Sequence, residues 1–166
     1  VEAYEYDRSF LTLSPDIALI TSIDADHLDI YGDKDSMKNA YSDFAGKIKE
    51  NGRLISKQFI LNELDLRSDL KLSSYSISED ANTIAKDIRI ENGNYIVDIN
   101  SDNIETSDVT IGLRGIHNVE NAIGAFAIAE KIGIDNVKIK AALETYKGVY
   151  RRFETLLART LSLLEM

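Results

Sequence analysis

Pro15-Asp16-Ile17-Ala18-Leu19-Ile20-Thr21-Ser22-Ile23 carries an apolar stretch without polar alternation. A strand with one wet face alternates apolar and polar residues, so this one is predicted to be buried on both faces. That is the pattern of a parallel sheet covered by helices. The stretch runs straight into Asp24-Ala25-Asp26-His27-Leu28-Asp29, a polar cluster at a strand's C-terminal end. In open α/β sheets that edge is where ligands bind. The fold class expected is therefore α/β, a mostly parallel sheet flanked by helices.

The remaining elements follow from periodicity and punctuation. Met37, Tyr41, Phe44 and Ile48 fall at helical spacing and predict a helix over residues 35–50, with Asp35 or Ser36 as its cap and Gly52 just past its end. Residues 53–56 read as a short strand and residues 59–70 as a short helix. Strands are predicted at 72–77, 83–91, 95–100 and 106–113, with Asn92-Gly93-Asn94 as a hairpin turn. Tight turns between neighbouring strands imply antiparallel pairing, so a small antiparallel sheet is expected here. Val119, Ala122, Ile123, Phe126 and Ala127 carry a helix that stops at Gly133. A second helix opens at Ile134-Asp135 and ends before Gly148.

Composition narrows the function classes. A chain of 166 residues with 44% hydrophobic content is enough for one domain with a core. A net charge of −9 makes nucleic acid and anionic membrane poor partners, and neither is expected. It leaves room for a phosphate ligand held by local cations, helix N-termini or a metal. No apolar run approaches the ~18–20 residues of a membrane span, and the first residues lack the pattern of a secretory signal. The absence of cysteine excludes disulfides and thiolate metal sites, and is compatible with the cytoplasm.

Four clusters could carry chemistry. Asp24-Ala25-Asp26-His27-Leu28-Asp29 could gather a divalent cation, or could simply be a polar turn. Glu2-Ala3-Tyr4-Glu5-Tyr6-Asp7 could be a second strand-end acidic cluster, or a solvated terminus. In Gly115-Ile116-His117-Asn118-Val119-Glu120-Asn121-Ala122 a glycine turn leads into a helix. Asn118 and Asn121 share a face there, and their amides suit the edge of a nucleobase. Asn118 could equally be an N-cap. Arg151 and Arg152, after Gly148, could grip phosphate or be surface arginines.

Together the four clusters resemble the Mur ligase family, in order and in spacing. Glu2-Ala3-Tyr4-Glu5-Tyr6-Asp7-Arg8-Ser9-Phe10 is similar to the E-A-D-E-x-D-x-S-F of its alanine-adding branch, and to the close peptide-recycling branch. Asp26-His27-Leu28-Asp29 resembles D-H-[LM]-D, residues 115–122 resemble G-x-H-N-x-x-N-A, and Arg151-Arg152-Phe153-Glu154 resembles R-R-F-[ED]. Both histidines of the chain fall inside these motifs.

The resemblance implies a central ATP-binding domain over residues 1–154, followed by a divergent tail at 155–166. It implies a cytoplasmic bacterial carboxylate–amine ligase of peptidoglycan synthesis, using ATP and Mg2+ and an acyl phosphate intermediate. The substrates of the complete enzyme would be UDP-N-acetylmuramate and L-alanine, or a tripeptide in the recycling branch. Glu2 and His27 would hold magnesium, His117, Asn118 and Asn121 would meet the adenosine, and Arg152 would reach the phosphates. Glu2, His27 and Arg152 would be the catalytic set.

Three departures stand beside the likeness. The sequence contains no G-x-x-x-x-G-K-[ST] loop, which in the family lies upstream of the segment matching Glu2. Tyr4 stands where the family has an aspartate, and residues 155–166 do not resemble the family's continuation. The expectation for the isolated chain is that it is inactive, a non-catalytic nucleotide-binding remnant being the alternative reading. Without the loop's strand and helix it is also expected to be marginally stable or prone to associate.

Overall fold

The computed structural model describes residues 8–23, 33–102 and 104–148. Six strands form one sheet in the order β1-β2-β3-β4-β5-β6: β1 (Ile17–Ile20), β2 (Arg53–Ser56), β3 (Lys71–Ser76), β4 (Thr83–Glu91), β5 (Asn94–Ser101) and β6 (Ile104–Ile111). The first three pair in parallel and the last three antiparallel. Four helices cover the sheet: α1 (Lys34–Gly46), α2 (Gln58–Glu63), α3 (Ile116–Lys131) and α4 (Asn136–Thr145). None of the described helices is long and apolar enough to cross a membrane.

The doubly buried reading of β1 holds. Ala18 and Ile20 join an apolar cluster with Phe10, Met37, Ala40, Phe44 and Ile60, which come from the Ser9–Thr12 turn, α1 and α2. Ile17 and Leu19 pack against a second cluster, built on Val119, Ile123, Phe126 and Ala127 of α3 and Ile139 of α4. In β2, Leu54 enters the first cluster and Ile55 the second, as the two-residue period of a strand requires. Val97, Ile99, Val109 and Ile111 extend the second cluster beneath α3 and α4. α3 touches all six strands.

The antiparallel part is not a separate sheet. β3 and β4 pair in parallel, but only at Tyr75–Thr83 and Ser76–Ile84. Parallel neighbours normally need a long crossover. Here β4 starts where β3 ends, so six residues suffice to step sideways and continue in the same direction. Asn82 fixes that step: its Oδ1 accepts from the Ser74 amide at 2.8 Å, and its own amide donates to the Ser74 hydroxyl at 3.2 Å. The hairpin between β4 and β5 turns on Asn92 and Gly93, both at positive φ (50° and 80°), the geometry that the Asn-Gly pair favours.

Several boundaries differ from the sequence reading, three of them at the ends of α1 and α2. α1 is capped by Asp33, not by Asp35 or Ser36. Asp33 has an extended backbone and its Oδ1 accepts from the Ser36 amide at 2.7 Å. A cap stands just outside the helix with a non-helical backbone and serves the amide three residues on; Asp33 does so, whereas Asp35 and Ser36 already lie within the first turn. The expected helix over 59–70 ends at Glu63. Leu64 is extended, the Asp65 amide donates to the Ser42 hydroxyl at 3.0 Å, and Arg67 turns toward the end of α1. There its guanidinium donates to the carbonyls of Gly46 and Ile48 at 2.8 and 2.9 Å, while Asp69 grips its other edge. α1 therefore closes at Gly46, four residues before its predicted end, the Gly46 carbonyl satisfied by an arginine from elsewhere in the chain.

Candidate functional site

The carboxyl ends of β1 and β2 are joined by a buried hydrogen bond, the Ser56 hydroxyl donating to the Ile20 carbonyl at 2.6 Å. Lys57 is the next residue. Its ammonium lies 2.8 Å from the Glu120 carboxylate on α3, and both side chains are about three-quarters covered. This contact brings the first turns of α3 to the C-terminal end of β2, the ligand-binding edge of an open α/β sheet. The same ammonium lies 5.9 Å from the centre of the half-exposed Phe59 ring.

The start of α3 explains the G-x-H-N spacing physically. Gly115 has φ 98°, where a side chain would be strained. A methyl group added there would also stand 2.7 Å from the His117 ring, so the imidazole lies back against the glycine. Gly115 is the N-cap and supplies no side-chain acceptor. Asn118 is thus not the N-cap: it lies inside the first turn, its amide NH2 donating to the Arg114 carbonyl at 2.6 Å. His117 and Asn121 are exposed and Asn118 is half-buried. The three predicted nucleotide contacts are brought together within two turns of one helix.

Tyr75 of β3 lies under this helix. Its ring carbon Cζ would be 3.2 Å from a methyl group at Gly124, so α3 makes a close approach to the sheet there. The Tyr75 side chain is fully buried, and its hydroxyl has no hydrogen-bond partner among the described residues. Burial, with the Glu120 charge adding to it, pushes the phenol above its ordinary range.

Glu2, His27 and Arg152 lie outside the described residues. Among the described residues no three His, Cys, Asp or Glu side chains converge as a metal site. The described part does fit a nucleotide: an uncapped helix N-terminus, two carboxamides and an imidazole on adjacent turns, and a lysine at the strand ends. The sequence reading passed over Lys57, Glu120 and Tyr75. Lys57 was findable as the cation that, among the described parallel strands, directly follows a carboxyl end; Tyr75 was not, because nothing local distinguishes it from a core aromatic.

An open α/β sheet with helices on both faces and a polar edge at the carboxyl ends of β1 and β2 is the architecture of the α/β class whose ligands bind at that edge. The Mur ligase middle domain matches over residues 2–129, and the chain belongs to the Mur ligase family through that domain. The chain is 43% identical over 153 residues to UDP-N-acetylmuramate–L-alanine ligase of Flavobacterium psychrophilum, covering 92% of this chain and 32% of that protein. The corresponding ligase of Caldicellulosiruptor bescii is 38% identical over 157 residues, covering 93% and 34%. The chain thus spans about a third of the length of the curated relatives it matches. Among solved structures, the UDP-N-acetylmuramate–alanine ligase MurC of Thermotoga maritima superposes with a TM-score of 0.75 at 19% identity, covering 93% of this chain and 34% of that one. MurF of the same organism, in complex with ADP, superposes at 0.72 with 16% identity, covering 89% and 34%. These two likenesses establish the fold.

Proposed function

We propose that the chain is the nucleotide-handling part of an ATP-dependent ligase that joins L-alanine to UDP-N-acetylmuramate in bacterial peptidoglycan synthesis. The observation that carries the reading is the G-x-H-N-x-x-N-A turn of α3 standing at the carboxyl end of β2. The relatives' names and the 43% identity across nearly the whole chain support the alanine-adding branch over peptide recycling.

In this reading the substrate carboxylate is activated by ATP as an acyl phosphate, and the amine of L-alanine displaces the phosphate. Glu2 would help hold a magnesium at the nucleotide phosphates and His27 a second near the substrate carboxylate, each supplying charge neutralisation there. Asn118 and Asn121 would orient the base edge, His117 would pack against the nucleoside, and Arg152 would approach the phosphates. The domain's contribution is to position and to balance charge. The protein would work in the cytoplasm, where ATP and the nucleotide-linked sugar are found.

The test is a phosphate-release assay on the ligase that carries this chain. Release should require UDP-N-acetylmuramate and L-alanine together with ATP. Turnover with the tripeptide in place of L-alanine would move the assignment to the recycling branch, and no turnover with either would defeat it. Replacing Asn121 with Ala should raise the KM for ATP and leave the KM for L-alanine unchanged.

A further inference from the structure

We propose that Lys57 and Glu120 are positioning residues that set the rotation of α3 about its axis, and with it the place of His117, Asn118 and Asn121 at the sheet edge. The inference rests on the nucleotide reading of that edge. It is carried by three observations at one end of α3.

First, the Lys57–Glu120 pair, at 2.8 Å, joins the C-terminal end of β2 to the second turn of α3. Its side chains are 23% and 27% exposed, so the pair is screened far less than a solvated surface pair. Second, Glu120 and Gly124 are one turn apart on the side of α3 that meets the sheet, and Gly124 sits directly over Tyr75 and Leu19. Gly124 presents no side chain there, so at that point the helix is seated by close backbone approach, and its buried neighbours Val119 and Ile123 supply the interlocking contacts. Third, Tyr75 buries an unpartnered hydroxyl beneath the same turns, within the field of Glu120. The Glu120 charge thus acts on two groups, an ammonium at the strand end and a phenol beneath the helix. The structure pairs it with the ammonium.

Side chains on one helix rotate together. Whatever fixes the azimuth of Glu120 also fixes that of His117 and Asn121, which share the neighbouring face. The far end of α3 is tied separately: Ser101 bonds to Glu130, and Lys131 to Asp102. Without Lys57, the first turns keep their apolar contacts and the Asn118–Arg114 bond but lose the ion pair that ties Glu120 to the strand end.

The experiment compares wild type with Lys57→Met, Lys57→Arg and Glu120→Gln, by two readouts. In the ligase that carries this chain, Lys57→Met and Glu120→Gln should each raise the KM for ATP roughly three- to tenfold with kcat little changed. Lys57→Arg should restore the wild-type value. In this chain itself, amide hydrogen exchange at residues 119–121 should quicken in Lys57→Met and Glu120→Gln, with exchange in β5 and β6 unchanged. An unaltered KM with unaltered exchange overturns the proposal, as does a Lys57→Arg variant no better than Lys57→Met. If ATP proves not to be a substrate, the nucleotide reading fails, and the exchange comparison still decides whether the pair fixes the helix.

Discussion

Tyr75 is the residue whose chemistry and surroundings agree least. Its ring fills the space beneath Gly124, while its hydroxyl is buried without a bond among the described residues. A hydroxyl removed from water and given no partner costs more than it returns. Tyr75→Phe is therefore expected to stabilise the chain by about 1 kcal/mol, raising the urea midpoint without changing the slope. A loss of stability would mean that the hydroxyl has a partner after all.

Asp69 makes a different residue-scale prediction. Its bonds from Arg67 and from the Asn51 amide hold its carboxyl down to about 2, from an ordinary 3.8. A depressed folded pKa contributes stability that is fully present above the unfolded value and is lost as pH falls through the folded one. Acid titration of stability should thus show a component lost between about pH 4 and pH 2 that Asp69→Asn lacks. If wild type and Asp69→Asn fall in parallel, the Arg67–Asp69 contact carries no pH dependence. At this scale the sequence was partly legible. The G-x-H-N-x-x-N-A motif announced its residues because a glycine, an imidazole and two amides at fixed offsets are rare together. The Lys57–Glu120 pair did not, because its partners are 63 positions apart and each alone is an ordinary surface charge.

At the scale of elements, α1 depends on one side chain for its start and on a distant one for its end. Asp33→Ala removes the acceptor for the Ser36 amide and should lower the midpoint of chemical denaturation without changing its slope. An unchanged midpoint would show that Asp35 can take over the cap. The sequence placed this helix correctly by its apolar spacing, since Met37, Ala40 and Phe44 are buried on one side. It misjudged the ends, because three potential caps stand within four residues and because the closing arginine comes from beyond α2. The shortened α2 has the same origin. Local pattern favoured continued helix, and the long-range bonds of Asp65 and Arg67 overrode it. Strands whose identity is local, such as the β4–β5 hairpin around Asn92-Gly93, were legible almost to the residue.

For the molecule as a whole, the sheet separates two apolar clusters that share no side chain. Met37 is central to one and Phe126 to the other, both fully buried. Met37→Ala should cost about 2–5 kcal/mol and Phe126→Ala about 3–5 kcal/mol. Because the sites lie on opposite faces, the double variant should lose the sum of the two within about 0.5 kcal/mol. A marked departure from that sum would mean that strain passes through the sheet. The α/β class was legible because β1 is apolar on both faces. The single continuous sheet was not, since the direction of β4 relative to β3 is set by a six-residue step that composition does not reveal.

That step has a mechanical consequence. Between β3 and β4 the backbone ladder is two rungs deep, against seven paired positions between β4 and β5. The sheet has a seam there, and α3, bearing on strands of both halves, is the splint across it. Any ligand that stiffens the start of α3 therefore braces the weakest line of the molecule, and any change that loosens α3 lets the two halves of the sheet part first.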